Sequence, residues 1–425
     1  MRKLIGFSLT GALALATPAF GQALPRQQVA APSAVTQLAD RWVAENRVPG
    51  IVVTVARGDA APQVAAAGRI ANEATARRAD IDSLWRVYSM TKPITGIAAM
   101  ILVEQGKLGL DQPISDFIPA FKSMRVLVDP AKDLASRPAT RPITVRNLLT
   151  HTAGLGYNII TKGPLLDEYN RLGINPAAVS AAMEPNMRAV RPASLEEFAN
   201  RVATLPLIAE PGAEWSYSIG LDVLGRVIEL ASGVPFDQFV STRIFRPLGM
   251  NASYWTVPAD TAGLLATNYA QLGDSRAPLD PGATSVWLQP PSFPYGGAGL
   301  VTSARDYDRF LHMLVNGGTL EGARILKPET VRLAMSDLLP ATVDRSLLQA
   351  QAGGDQVGFG AGGSVSLADR PGGPGKGTFG WAGAAGTFAW VDPKNQVRAT
   401  AMINLFGQTP LKRDVIQAVY ADSAR

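Results

Sequence analysis

The sequence predicts an α/β (α+β) fold: one antiparallel sheet flanked by terminal helices, with an all-helical subdomain inserted at roughly residues 110–250. Three observations predict it. Strand-like segments occur near both ends of the chain, helical periodicity dominates the middle, and an amphipathic helix lies near each end. Strands from both ends then form one sheet, and the cleft between this sheet and the helices is the natural place for an active site.

Residues 1–23 are typical of a secretory signal peptide. Arg2 and Lys3 precede an apolar run that ends in small residues, with a cleavage site after Gly21 or Ala23. A membrane anchor is the alternative, but the run is short and contains polar residues and a proline. A lipid anchor would need a cysteine, and the chain has 0 Cys. We therefore expect an exported protein, periplasmic or secreted, that is soluble and has no stable membrane anchor.

The predicted elements of the remaining chain, residues 24–425, follow in order. A helix around Val35–Val43 precedes two paired strands, and a second helix follows them. Helical patterns then continue to about residue 250, strand patterns return, and a last helix closes the chain. The segments are, for the strands, IVVTVARG, QVAAAGRI, ASYWTV, VGFGAGGSVSLA, GTFAWVDP and VRATAMINLF; for the helices, TVRNLLTH, SLEEFANRVATL, DVLGRVIELASG, PFDQFVSTRIF and LKRDVIQAVYAD.

Composition and motifs exclude several classes of function. The net charge of +5 is spread along the chain without a basic block, which argues against nucleic acid as a partner. The two histidines, His151 and His312, lie outside metal-binding patterns, so no metal is predicted. Residues 358–363 match G-x-G-x-x-G, but a strand pattern follows where a dinucleotide site needs a helix. We predict no cofactor, and the sequence leaves the oligomeric state open.

The most informative stretch is SMTK, which places the Ser89 hydroxyl and the Lys92 amine three residues apart. A strand-like run precedes it, and apolar residues at helical spacing follow it. Residues three apart on a helix share one face, so the amine can reach the hydroxyl. A serine at a helix start also lies among unpaired N–H groups. A nucleophile, a nearby base and oxyanion donors are what an acylated serine needs.

The same spacing has a simpler interpretation. Serine and lysine are common, so Ser89 could be an ordinary helix cap and Lys92 a solvated side chain of the first turn. The surrounding residues favour catalysis. The helix after Lys92 is almost wholly apolar, which predicts a buried amine, and burial favours the neutral, basic form of an amine.

Tyr217 is the third candidate. It lies in the polar run EWSYS, directly before a helical segment. A tyrosine in such a position is more often a core or loop residue than a catalytic one. Beside a lysine, however, a phenol can serve as a base, so Tyr217 joins Ser89 and Lys92 in the predicted catalytic set.

Five blocks now carry a family resemblance: SMTK, TVRNLLTHTAGL, WSYSIGLDVLGRVIE, GGAGLVTSARDYDRFLHMLVNGG and FGWAGAAGTFAWVDP. Their order resembles the serine β-lactamase-like hydrolases and, within them, the family VIII carboxylesterases, which are similar to class C β-lactamases and DD-peptidases. The resemblance covers nearly all of residues 24–425. It implies one β-lactamase-related catalytic domain, with Ser89 as nucleophile and Lys92 and Tyr217 as its activating pair.

The resemblance also implies the residues that line the cleft and their departures from the lactamase pattern. Trp381, Ala382 and Gly383 would lie on the strand beside the nucleophile, and the backbone N–H groups of Ser89 and Ala384 would form the oxyanion hole. The lactamase strand motif is Lys-Thr-Gly, but here Trp381 replaces the lysine. The Tyr-x-Asn motif has Ile219 as its third residue. Anchors for a carboxylate and an amide are therefore missing, which favours small neutral esters.

Three functions stay open on sequence alone. The first is a serine carboxylesterase acting on short-chain neutral esters. The second is an enzyme of the same fold acting on amides: a β-lactamase, a DD-peptidase or an amidase. The third is a non-enzymatic binding relative, which the retention of Ser89, Lys92 and Tyr217 disfavours. His151, in the HTAGL block, is interpreted as architectural because nothing in the sequence places it beside Ser89.

Overall fold

The computed structural model describes residues 33–273, 275–407 and 410–421; the predicted signal peptide lies outside them. Among these residues no helix is both long enough and apolar enough to cross a bilayer. The α helices are α1 (Ala34–Ala44), α2 (Thr91–Glu104), α3 (Val145–Leu149), α4 (Pro164–Arg171), α5 (Glu184–Val190), α6 (Leu195–Ala203), α7 (Gly220–Ser232), α8 (Phe236–Val240), α9 (Ala304–Val315), α10 (Pro328–Ala334), α11 (Ser346–Gln351) and α12 (Leu411–Ala421).

The β strands begin and end as follows: β1 (Gly50–Arg57), β2 (Gln63–Gly68), β3 (Leu84–Arg86), β4 (Arg125–Leu127), β5 (Ser136–Pro138), β6 (Ser253–Tyr254), β7 (Asn268–Leu272), β8 (Ser275–Asp280), β9 (Val301–Ser303), β10 (Thr319–Leu320), β11 (Ala323–Arg324), β12 (Val357–Phe359), β13 (Ser364–Ser366), β14 (Phe379–Ala382), β15 (Phe388–Asp392), β16 (Val397–Met402) and β17 (Leu405–Phe406).

Strands from both ends of the chain form the main sheet, as predicted. Its order is β12-β13-β14-β15-β16-β1-β2, and every neighbouring pair is antiparallel. The central pairing joins β1 to β16, with Val52 opposite Met402 and Arg57 opposite Val397. The apolar residues of β1 and the wholly buried β16 provide the two packing faces of this sheet.

Helices cover both faces of the sheet. The terminal helices α1 and α12 pack together on one face, in a core that includes Trp42 and Trp390. Helix α9 packs against β1, β15 and β16 on the other face, where a larger core continues into the helical part of the molecule. Residues 110–250 contain α3 to α8 together with the short pair β4–β5. The antiparallel sheet with terminal helices and a mainly helical insertion confirms the predicted fold class.

Helix α2 links the two parts of the fold and is almost completely buried. It packs against α7 of the helical part and against β14 of the sheet. The glycine-rich segment at residues 358–363 lies against its first turns. At Gly96 the two backbones are so close that a Cβ atom would lie 2.1 Å from the carbonyl oxygen of Ala361. The segment is therefore a packing surface for α2.

This contact predicts that Gly96→Ala destabilises the protein. Either α2 or the loop at Ala361 must move, and overpacking of this kind costs about 1–3 kcal/mol in the free energy of unfolding. Urea unfolding followed by circular dichroism would measure the loss. Gly263→Ala is the matched control, because nothing lies within 4 Å of its Cβ position; its effect should stay below about 1 kcal/mol. Equal effects of the two substitutions would contradict the packing argument.

Candidate active site

Ser89 lies on a short 3-10 helix, Tyr88–Met90, that leads directly into α2. The preceding residue, Tyr88, has a φ of 40°, which strains any residue other than glycine. Edge contacts with the rings of Trp287 and Phe406 hold Tyr88 in this conformation. The resulting turn leaves Ser89 half-buried at the cleft while both of its neighbours are buried.

Lys92 lies in the first turn of α2, and its side chain is fully buried. Its Nζ atom is 3.2 Å from the Oγ atom of Ser89 and donates a 2.8 Å hydrogen bond to the carbonyl of Gly297. It also lies 4.6 Å from the ring centroid of Tyr217 and 5.4 Å from that of Tyr157. The structure thus brings the predicted amine and hydroxyl together, with the amine buried beside two aromatic rings.

Tyr217 completes the contacts of Ser89. Its hydroxyl donates a 2.7 Å hydrogen bond to the Oγ atom of Ser89. The same hydroxyl oxygen accepts a 3.3 Å hydrogen bond from the indole Nε1 of Trp381. Trp381, which replaces the lysine of the lactamase pattern, therefore forms a hydrogen bond with the phenol of Tyr217. The sequence did not reveal this contact.

Hydrogen bonds to His151 fix the position of the segment that carries Tyr217. The Nδ1 atom of His151 accepts a 3.1 Å hydrogen bond from the backbone N–H of Ser218, and its carbonyl accepts one of 2.9 Å from that of Ser216. The imidazole packs on the Tyr217 ring with 4.7 Å between centroids. His151, interpreted from sequence as architectural, thus directly supports the phenol that contacts Ser89.

The protonation state of His151 follows from these contacts. An Nδ1 atom that accepts from a backbone N–H carries no proton itself. Burial, and secondarily the charge of Lys92, hold the pKa of His151 well below its ordinary value of 6.5. The imidazole is therefore neutral with its proton on Nε2, and Nε2 has no hydrogen-bond partner among the described residues.

The end of β14 and the turn after it form another wall of the site. Trp381 is half-buried, and Ala382 and Ala384 are exposed. Gly383 donates its N–H to the carbonyl of Thr387, across the turn, at 2.7 Å. Within the described ranges the N–H groups of Ser89 and Ala384 have no acceptor. These are the two donors that the family resemblance implies for an oxyanion hole.

A cavity of about 610 Å³ opens above Ser89. Its walls include Tyr217 and the four predicted residues Trp381, Ala382, Gly383 and Ala384. Apolar side chains, among them Ile159, Leu348 and Val357, line its further reaches. This volume is typical of a small-molecule site. No group of three or more His, Cys, Asp or Glu residues in the described ranges could hold a metal ion.

Sequence reasoning missed two residues at the base of the site. The sequence assigned Tyr157 no role in the chemistry, but its ring is buried beside Lys92 and lies 5.4 Å from the Tyr217 ring. Asp222, in the first turn of α7, received no role, yet its carboxyl group is fully buried and bonded to Gly297. Neither residue is near Ser89 or Lys92 in sequence, so no local spacing could have identified it.

Fold and site together define a class of protein. The Beta-lactamase family model matches residues 35–421, and the chain belongs to this family of β-lactamase-fold hydrolases. The predicted resemblance to serine β-lactamase-like hydrolases is thereby confirmed.

Particular relatives extend the comparison. The chain is 32% identical over 371 residues to Esterase EstB of Burkholderia gladioli, covering 83% of this chain and 85% of EstB. It is 38% identical over 323 residues to Protein Rv1367c of Mycobacterium tuberculosis, covering 73% and 75%. Among solved structures, EstCE1, described as a hydrolase with promiscuous acyltransferase activity, superimposes with a TM-score of 0.74 at 28% identity, covering 91% of this chain and 97% of EstCE1.

The environment of His151 predicts that the imidazole titrates well below its ordinary pKa of 6.5, because burial and the charge of Lys92 disfavour the protonated form. Nitrogen NMR of the imidazole would measure its titration, with His312→Asn leaving one histidine signal. Since the unfolded chain binds this proton below its ordinary pKa of 6.5 and the folded chain does not, the contribution of His151 to stability is lost as the pH falls below 6.5. A titration midpoint near 6.5 would contradict the buried neutral tautomer.

Proposed function

We propose that the protein is a serine carboxylesterase that forms an acyl-enzyme on Ser89 and acts on small neutral esters. One observation carries the proposal: the Oγ atom of Ser89 lies 2.7 Å from the Tyr217 hydroxyl and 3.2 Å from the Lys92 amine. A hydroxyl in contact with two groups that can exchange its proton is an activated nucleophile. The similarity to EstB and EstCE1 supports the ester-cleaving interpretation.

Acylation follows from this geometry. The Oγ atom of Ser89 bonds to the acyl carbon while its proton passes to the Tyr217–Lys92 pair, and the carbonyl π electrons become an oxyanion. The free N–H groups of Ser89 and Ala384 are suited to stabilise this oxyanion. Its collapse breaks the bond to the alcohol oxygen, which takes the proton back from the pair. A water molecule then repeats these steps at the acyl carbon and releases the acid.

Two features of the site favour neutral esters over lactams. A β-lactam antibiotic carries a carboxylate, and here Trp381 offers an apolar ring where the lactamase pattern has lysine. The lactamase pattern has asparagine where this chain has Ile219, which is fully buried directly before α7. No side-chain amide therefore faces a substrate at this position. Desolvating a carboxylate without a partner is costly. A neutral ester carries no such charge, and its alcohol portion leaves as an alkoxide that needs only a proton.

Covalency provides the first test. A fluorophosphonate should label Ser89, as located by peptide mass spectrometry, and Ser89→Ala should abolish both labelling and the hydrolysis of p-nitrophenyl butyrate. The circular dichroism spectrum of this variant should be unchanged. Ser275→Ala, which alters an exposed serine, is the control and should retain full activity. Labelling of a residue other than Ser89 would rule out the proposed nucleophile.

Selectivity provides the second test. A charge-assisted hydrogen bond contributes about 1.5–3 kcal/mol, or roughly tenfold to over a hundredfold in binding. We therefore expect kcat/KM for p-nitrophenyl butyrate to exceed kcat/KM for a penicillin by at least roughly tenfold. Trp381→Lys should shift the ratio towards the penicillin, whereas Trp381→Phe, which adds no charge, should not. Comparable kcat/KM values for the two substrates in the unaltered enzyme would favour the lactamase alternative.

A further inference from the structure

Asp222 lies beneath the site with a carboxyl group that is 0% exposed. Its Oδ1 atom accepts a 2.8 Å hydrogen bond from the N–H of Gly297. Its Oδ2 atom is buried and has no hydrogen-bond partner in the part of the chain that the structure describes. A carboxyl group that is only half satisfied in the core destabilises a fold, so packing alone does not explain its presence.

Gly297 connects Asp222 to Lys92. Its N–H donates to the carboxyl group, and its carbonyl accepts the 2.8 Å hydrogen bond from the Nζ atom of Lys92. The contact requires glycine, because a Cβ atom would lie 2.6 Å from the Oδ2 atom of Asp222. The neighbouring carbonyl of Gly296 is fixed by a 2.6 Å hydrogen bond from Thr95. One glycine residue thus joins the buried acid and the buried base.

We propose that Asp222 is a positioning residue that acts through Gly297 as the negative partner of Lys92, stabilising the ammonium group while the Tyr217–Lys92 pair holds the proton of Ser89. The inference rests on the proposed function. Asp222 neither touches the substrate nor takes a proton in the cycle; the proton leaves Ser89 and returns to the departing alcohol.

The charge of Asp222 fits this role. Burial is the largest effect and raises the pKa of Asp222 to about 7, and the charge of Lys92 acts in the opposite direction. Above that pH a carboxylate therefore lies beneath the lysine. An opposite charge at this depth is poorly screened by solvent, so the carboxylate attracts an ammonium group at Lys92 more than an exposed carboxylate would.

The other ionisable groups around this pair do not compete for the role. Tyr157 and Tyr217 are phenols, and burial raises the pKa of Tyr157 well above 10. His151 is held neutral. The remaining charged side chains of α2 and of the helices packed on α7 are at least partly exposed: Glu104, Arg146, Glu196, Glu197, Arg201 and Asp237.

Asp222→Asn tests the proposal, because it keeps the shape of the side chain and removes the charge. We expect kcat for p-nitrophenyl butyrate at pH 8 to fall at least ~10-fold. Without the carboxylate the Tyr217–Lys92 pair holds its proton less tightly, so the acidic limb of the kcat/KM profile should move to lower pH by about one unit. A merely structural substitution would not move this limb.

Thermal stability supplies a second test, in which Asp222→Asn is expected to gain stability although it loses activity. A carboxyl group whose pKa is raised by folding loses its contribution to stability as the pH rises from its ordinary pKa of 3.8 to its folded-state pKa of about 7. Asp222→Asn removes this dependence. The difference in melting temperature between the Asp222→Asn variant and the unaltered enzyme should therefore increase, in favour of the variant, from pH 4 to pH 8. The activity of the variant should nevertheless be lower than that of the unaltered enzyme.

The control is Asp306→Asn, on α9, since burial also raises the pKa of Asp306. It should alter the pH dependence of stability and leave the acidic limb of the activity profile in place. Asp222→Ala, which needs less space, provides the same limb measurement if the asparagine variant does not fold. A limb that stays in place in the Asp222 variants, with Ser89 still labelled by a fluorophosphonate, would overturn the role of Asp222 alone. Absence of Ser89 labelling in the unaltered enzyme would overturn the proposed function and this inference together.

Discussion

The complete burial of the Lys92 amine is the constraint on which the rest of the site depends. A buried amine needs acceptors and shielding from water, and each neighbouring element supplies one part. The 3-10 helix that leads into α2 provides the Ser89 hydroxyl, the loop before β9 provides the carbonyl of Gly297, and two tyrosine rings close the remaining sides. These elements come from distant parts of the chain, so the position of one amine determines where they must meet.

Contacts with other aromatic rings, more than hydrogen bonds, hold the phenol of Tyr217 in place. Its ring contacts the imidazole of His151, the indoles of Trp215 and Trp381, and the ring of Tyr157. Rings have few rotatable bonds, so a cluster of them holds one geometry at little cost in conformational entropy. The apolar character of this cluster also shapes the cavity. Replacement of a lysine by Trp381 therefore changes both the wall of the pocket and the environment of the phenol.

Local patterns predicted the fold class and the proposed nucleophile, whereas contacts across the chain did not appear in the sequence. The spacing of Ser89 and Lys92 works because one helical turn connects them. Tyr217 was found through its helix start and a family motif. Gly297, by contrast, meets Lys92 across 205 residues, and Asp222 is one acid among many in helical segments. The conformation of His151, whose φ is 58°, likewise depends on contacts that no periodicity encodes.

The pairing of β1 with β16 also governs the order in which the molecule can be assembled. β1 lies near the start of the chain, and its partner is almost the last strand. When β1 leaves the ribosome, the strand that must satisfy one of its edges has not been made. Helices between residues 145 and 240 need only near neighbours and can form earlier. The sheet therefore cannot close before β16 has been made, and the cavity above Ser89, whose walls include β14, cannot be complete until most of the chain has been synthesised.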